Sequence, residues 1–72
     1  MIYRYTIVIE KGPKSFGAFV PDLPGCVAVA KTRAAVARLI RNAIQLHLED
    51  MRDRGQQVPR PRAIADLVEV AV

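Results

Sequence analysis

The sequence predicts an α+β domain of order β-β-β-α-β, a small, mostly antiparallel sheet with one helix packed on one face. Three observations lead there. Residues 2–10 alternate in side-chain character with the period of two that marks a half-buried strand. Residues 32–55 carry an apolar repeat at three and four, bounded by a threonine and a glycine, as an amphipathic helix requires. Between them lies Phe19-Val20-Pro21-Asp22-Leu23-Pro24-Gly25-Cys26, in which two prolines and a glycine hold the backbone in a tight turn.

In the first strand Tyr3, Tyr5, Ile7 and Ile9 share one face, and Ile2, Arg4, Thr6, Val8 and Glu10 share the other. Lys11-Gly12-Pro13-Lys14 is turn chemistry. Residues 15–20 form the second strand, with Phe16, Ala18 and Val20 on one face and Gly17 and Phe19 on the other. Pro24 presets φ for the second position of a type II turn, and Gly25 supplies the positive φ of the third. Residues 26–30 then make a short third strand. Thr32 opens the helix, its hydroxyl placed to accept from a free first-turn amide. Val36, Leu39, Ile40, Ala43, His47 and Met51 form its buried stripe, widened by Ile44, Leu46 and Leu48. Arg38, Arg41, Gln45, Glu49 and Arg52 line the opposite side, where Glu49–Arg52 and Asp50–Arg54 are spaced as ion pairs. Gly55 ends the helix. Pro59 and Pro61 make residues 56–62 an extended connector, and residues 67–72 alternate as a fourth strand with Val68, Val70 and Val72 on one face.

Seventy-two residues make one domain, 1–72, with a thin core. One cysteine and one histidine permit no internal disulfide and make a metal site a poor expectation. Oligomerisation or a partner protein is the remaining support for so small a scaffold. One helix covers one face of the sheet, which leaves Ile2, Thr6, Val8, Phe19 and Leu67 as candidates for a face buried by another copy. No apolar run reaches transmembrane length and the start lacks a secretory pattern, so a cytoplasmic protein is expected.

Catalysis finds little footing. Glu10, Asp22, Glu49, Asp50, Asp53, Asp66 and Glu69 share no motif, whereas metal-dependent cleavage needs carboxylates that converge. Cys26 and His47 suffice in type for a nucleophile and base. Their settings, after a turn and on an apolar helical stripe, read instead as core positions. No cofactor is expected. The net charge of +4 raises nucleic acid as a partner, with Lys31, Arg33, Arg38 and Arg41 as a basic patch around the helix start.

The run Tyr5-Thr6-Ile7-Val8-Ile9-Glu10, then Gly17-Ala18-Phe19-Val20-Pro21-Asp22-Leu23-Pro24-Gly25-Cys26, Thr32, Ala43-Ile44-Gln45-Leu46-His47-Leu48-Glu49, Gly55 and Val58-Pro59-Arg60-Pro61 resembles the HicB-like antitoxin domain over nearly the whole chain. The resemblance implies a partial ribonuclease H-like fold and a non-catalytic role: binding a HicA-like ribonuclease toxin and sterically blocking its action on mRNA. Asp22, Leu23, Pro24 and Gly25 of the turn, with Arg38, Arg41 and Gln45 of the helix, are then the candidate contacts. Full-length members usually add a C-terminal DNA-binding module, and residues 1–72 contain none, so a stand-alone domain is expected. Ala34 and Ala35 stand where the family commonly has acidic residues at the helix start. The competing expectation is a basic nucleic-acid-binding or regulatory domain that acts without a toxin.

Overall fold

A computed structural model describes residues 1–72. Three strands, β1 (Val8–Lys11), β2 (Phe16–Phe19) and β3 (Val27–Ala30), are followed by a single helix, α1 (Arg33–Asp53). The sheet is antiparallel with order β1-β2-β3, and the α+β expectation holds.

The register sorts the side chains. Ile9, Ala18 and Ala28 stand opposite one another, as do Lys11, Phe16 and Ala30. Ile9, Ala18, Ala28, Phe16 and Ala30 turn towards α1 and pack on or within the core. The intervening rows, Val8–Phe19–Val27 and Glu10–Gly17–Val29, face away from the helix.

The core consists of Ala18, Val20, Leu23, Cys26, Val36 and Ile40. Only these 6 of 72 residues are buried, so each contributes a large share of a small total. The turn is built as its residues dictate. Leu23 C=O accepts from Cys26 N–H at 3.1 Å across Pro24 and Gly25. Gly25 sits at φ +85°, the left-handed value a type II turn needs at its third position. The helix begins at Thr32, whose Oγ1 accepts from Ala35 N–H at 3.1 Å, and stops at Gly55, with φ +72°.

Several expectations are revised. The first strand, expected over residues 2–10, joins the ladder only from Val8, because β2 ends at Phe19 and Pro21 turns the chain away from residues 2–7. Residues 67–72 form no strand: Leu67 is 96% exposed and Val70 73%, so the fourth β element is missing from the sheet. Leu39 and Leu46, assigned to the buried stripe, lie on the solvent side of α1. Glu49 and Arg52 do not pair; Asp50 and Arg54 make the one ion pair, at 3.2 Å and well exposed.

Candidate functional site

Asp22 lies at the head of the tight turn, and its carboxylate is already engaged. Oδ2 accepts from Arg62 N–H at 3.0 Å and from Ala63 N–H at 3.1 Å. Thr6 Oγ1 donates to Ala63 C=O at 2.8 Å, and the Tyr5 hydroxyl donates to Pro59 C=O. Side chains from the first extended segment and the turn thus hold the connector 59–63 against the body. Prolines at 59 and 61 leave few backbone donors there, so a side-chain clasp replaces a ladder. The turn and connector enclose an open cleft lined by Pro21, Asp22, Pro24, Val58, Pro59 and Arg60, among others.

Of the four turn candidates, Leu23 is 1% exposed and plugs the core against a partner's reach. This corrects its assignment as a contact. The turn draws its side chain inward while leaving Pro24 and Gly25 at the surface. Arg38, Arg41 and Gln45 are all exposed on α1. They do not share the Asp22 cleft. Arg41 instead borders a second groove of about 470 Å³, between the extended residues 3–7 and α1, lined by Tyr3, Tyr5, Ile7, Ala37, Ile40 and Ile44, with Arg4 beside it.

Lys31, Arg33, Arg38 and Arg41 are exposed, and none belongs to the one ion pair, so their charge is open to solvent. Ile2, Phe19 and Leu67 are exposed, and Thr6 and Val8 half-buried. Val27 at 64% and Val29 at 67% extend the apolar outer face beyond the residues named from sequence. Their alternation was readable in residues 26–30, but the register that sets them beside Phe19 and Gly17 was not.

Of the two remaining chemical candidates, His47 is half-buried on α1. Cys26 is buried in the core, and burial pushes its thiol up from the ordinary value, away from the thiolate a nucleophile requires. Nowhere do three or more His, Cys, Asp or Glu side chains gather as metal ligands would. Tyr5 is also raised, chiefly by burial, then by the neighbouring Tyr3 and Asp22, with Arg52 opposing. Its hydroxyl therefore stays protonated as the connector's donor. No helix is long and apolar enough to cross a membrane.

Known proteins are similar in sequence. Residues 5–71 match the family described as HicB-like antitoxin of bacterial toxin-antitoxin system. A UPF0150 protein of Thermoplasma acidophilum is 31% identical over 61 residues, covering 83% of this chain and 88% of the relative. A UPF0150 protein of Helicobacter pylori is 46% identical over 44 residues, 61% of each chain. An uncharacterized 14.9 kDa protein from the rep-hol intergenic region of Haemophilus phage HP1 is 30% identical over 64 residues, 89% of this chain but 48% of its own. No solved structure matches. The match extends from Tyr5, whose hydroxyl clasps the connector, past the turn and helix to residue 71, and the chain belongs to the HicB-like antitoxin family.

Proposed function

We propose that this chain is the antitoxin of a cytoplasmic HicA/HicB-type pair. It binds a HicA-like, mRNA-cleaving ribonuclease and blocks it sterically, without catalysis of its own. The observation that carries this reading is the family match across 5–71, nearly the full length of the fold. Pro24 and Gly25, with the rim of the Asp22 cleft, offer a rigid contact, and Arg38, Arg41 and Gln45 offer a polar one on the helix. The chain also self-associates, because Phe19, Val27 and Val29 present an apolar outer sheet face to water.

The test is co-expression with the product of the adjacent reading frame. Co-purification, rescue of growth and loss of RNA cleavage in the mixture are expected. If no partner co-purifies and no rescue occurs, the reading fails. The uncompensated charge of Lys31, Arg33, Arg38 and Arg41 favours a second reading, direct nucleic-acid binding. It requires RNA or duplex DNA to bind at low salt and to dissociate steeply as salt rises.

A further inference from the structure

Two extended segments stand without backbone partners. Residues 1–7 make no backbone–backbone hydrogen bond, and neither do residues 57–72. Residues 1–7 and, within the second segment, residues 67–72 alternate apolar side chains with a period of two. Residues 64–72 lie off the body: Ile64, Leu67, Val68 and Val70 are between 73% and 96% exposed. The chain is correspondingly long, 47 × 27 × 18 Å. Its radius of gyration is 13.9 Å, where a compact chain of this length has about 11 Å.

We infer that residues 66–72 of one copy add as a strand beside residues 2–7 of a second copy, and that the exchange is reciprocal. This rests on the self-association proposed above and assigns it a contact distinct from the outer sheet face. The first segment has a free edge and, between it and α1, the apolar groove over Tyr3, Tyr5, Ile7 and Ile44. An incoming strand can satisfy that edge while setting Val68, Val70 and Val72 into the groove. The opposite side of the strand carries Leu67 and Glu69. Glu69 then falls on the side of Arg4, whose charge has no acidic partner in its own chain. The clasp on Ala63, made by Thr6 and Asp22, fixes where the segment leaves its own body and directs it outward. Two identical arms and two identical grooves close with twofold symmetry, the usual form of a segment exchange.

Sedimentation and light scattering are expected to give twice the 8.0 kDa chain mass. Val70→Pro removes a ladder donor from a residue that is solvent-exposed in the single chain, so it spares the fold, as circular dichroism will show, and yields a monomer. A Val70→Pro dimer as tight as the wild type overturns the exchange but leaves self-association through the outer sheet face standing. A wild-type chain that stays monomeric at all concentrations overturns both. Charge reversal separates exchange from folding back within one chain. Arg4→Glu and Glu69→Arg should each weaken the dimer about tenfold. Mixing the two variants should restore it, since the mixed pair alone sets opposite charges together at both grooves. Absence of restoration on mixing, with each variant still folded, overturns the exchange.

Discussion

Replacing Asp22 by alanine should release the connector without unfolding the domain. The carboxylate takes N–H groups from Arg62 at 3.0 Å and Ala63 at 3.1 Å, across 40 and 41 residues of sequence. Hydrogen bonds to charged groups contribute about 1.5–3 kcal/mol each where water is excluded. The Arg62 bond is exposed and the Ala63 bond half-buried, so water replaces much of that on release. A loss of about 1–2 kcal/mol in the free energy of local opening remains, which raises the open population about 5–30-fold. Limited trypsin digestion reads this directly at the Arg62–Ala63 bond, because cleavage follows the open population when opening is fast. The bond after Arg60 precedes a proline and resists the enzyme, and the bond after Arg54 gives an internal reference. Asp22→Asn, which keeps an acceptor but loses the charge, should fall between wild type and alanine. Equal rates at Arg62–Ala63 in wild type and Asp22→Ala, against an unchanged reference cut, would show that the carboxylate does not hold the connector.

Other perturbations act on the core and on the helix start. Ile40 is fully buried, so Ile40→Ala should cost about 2–5 kcal/mol, most of what a domain of this size has, and leave the chain largely unfolded by circular dichroism at room temperature. Ile40→Val should cost about 1 kcal/mol and shift only the denaturation midpoint. Thr32→Ala removes the cap on Ala35 N–H and should lower stability by about 1 kcal/mol in a urea titration; Thr32→Asn should recover most of it. Cys26 should resist alkylation in the native protein at neutral pH and react at once when unfolded. Since burial raises its folded pKa, its contribution to stability is complete below the ordinary thiol value and declines as pH climbs through that value towards the folded one. Cys26→Ala should lose that alkaline decline.

What the sequence made legible was local. Thr32 and Gly55 mark the helix ends because capping and positive φ are decided by the residues themselves, and both appear where expected. The turn at Pro24–Gly25 is the same case. The ladders of β1, β2 and β3 followed from alternation together with short connections, which leave antiparallel pairing as the only reach. The failures share a cause as well. Residues 2–7 and 67–72 alternate as well as any strand in the chain, yet a strand exists only beside a neighbour, and alternation says nothing of where the neighbour is. Leu23, a candidate contact by resemblance, is instead buried, because a turn this tight folds one side chain back into the core. The hold of Asp22 on the connector was not legible, since its partners at Arg62 and Ala63 are too distant in sequence for spacing to reveal.

That hold bears on how a domain with so small a core would keep the proposed partner surface rigid. The turn is stabilised from within by Leu23, packed with Val36 and Ile40 in the core, and from without by the connector that Asp22 holds. Pro24 and Gly25 therefore project from a loop anchored on both sides, so that little conformational entropy is left to lose on binding. Loss of the clasp would then be felt at a distance: the connector loosens, the loop gains freedom, and a partner docking on Pro24 and Gly25 must order it again. On this reading Asp22→Ala weakens partner binding through a faster off-rate while Pro24 and Gly25 stay in place. Substitution of Pro24 itself would also remove surface, and the two effects separate in a double-mutant cycle. Coupling between the two positions supports transmission through the loop, and simple additivity excludes it.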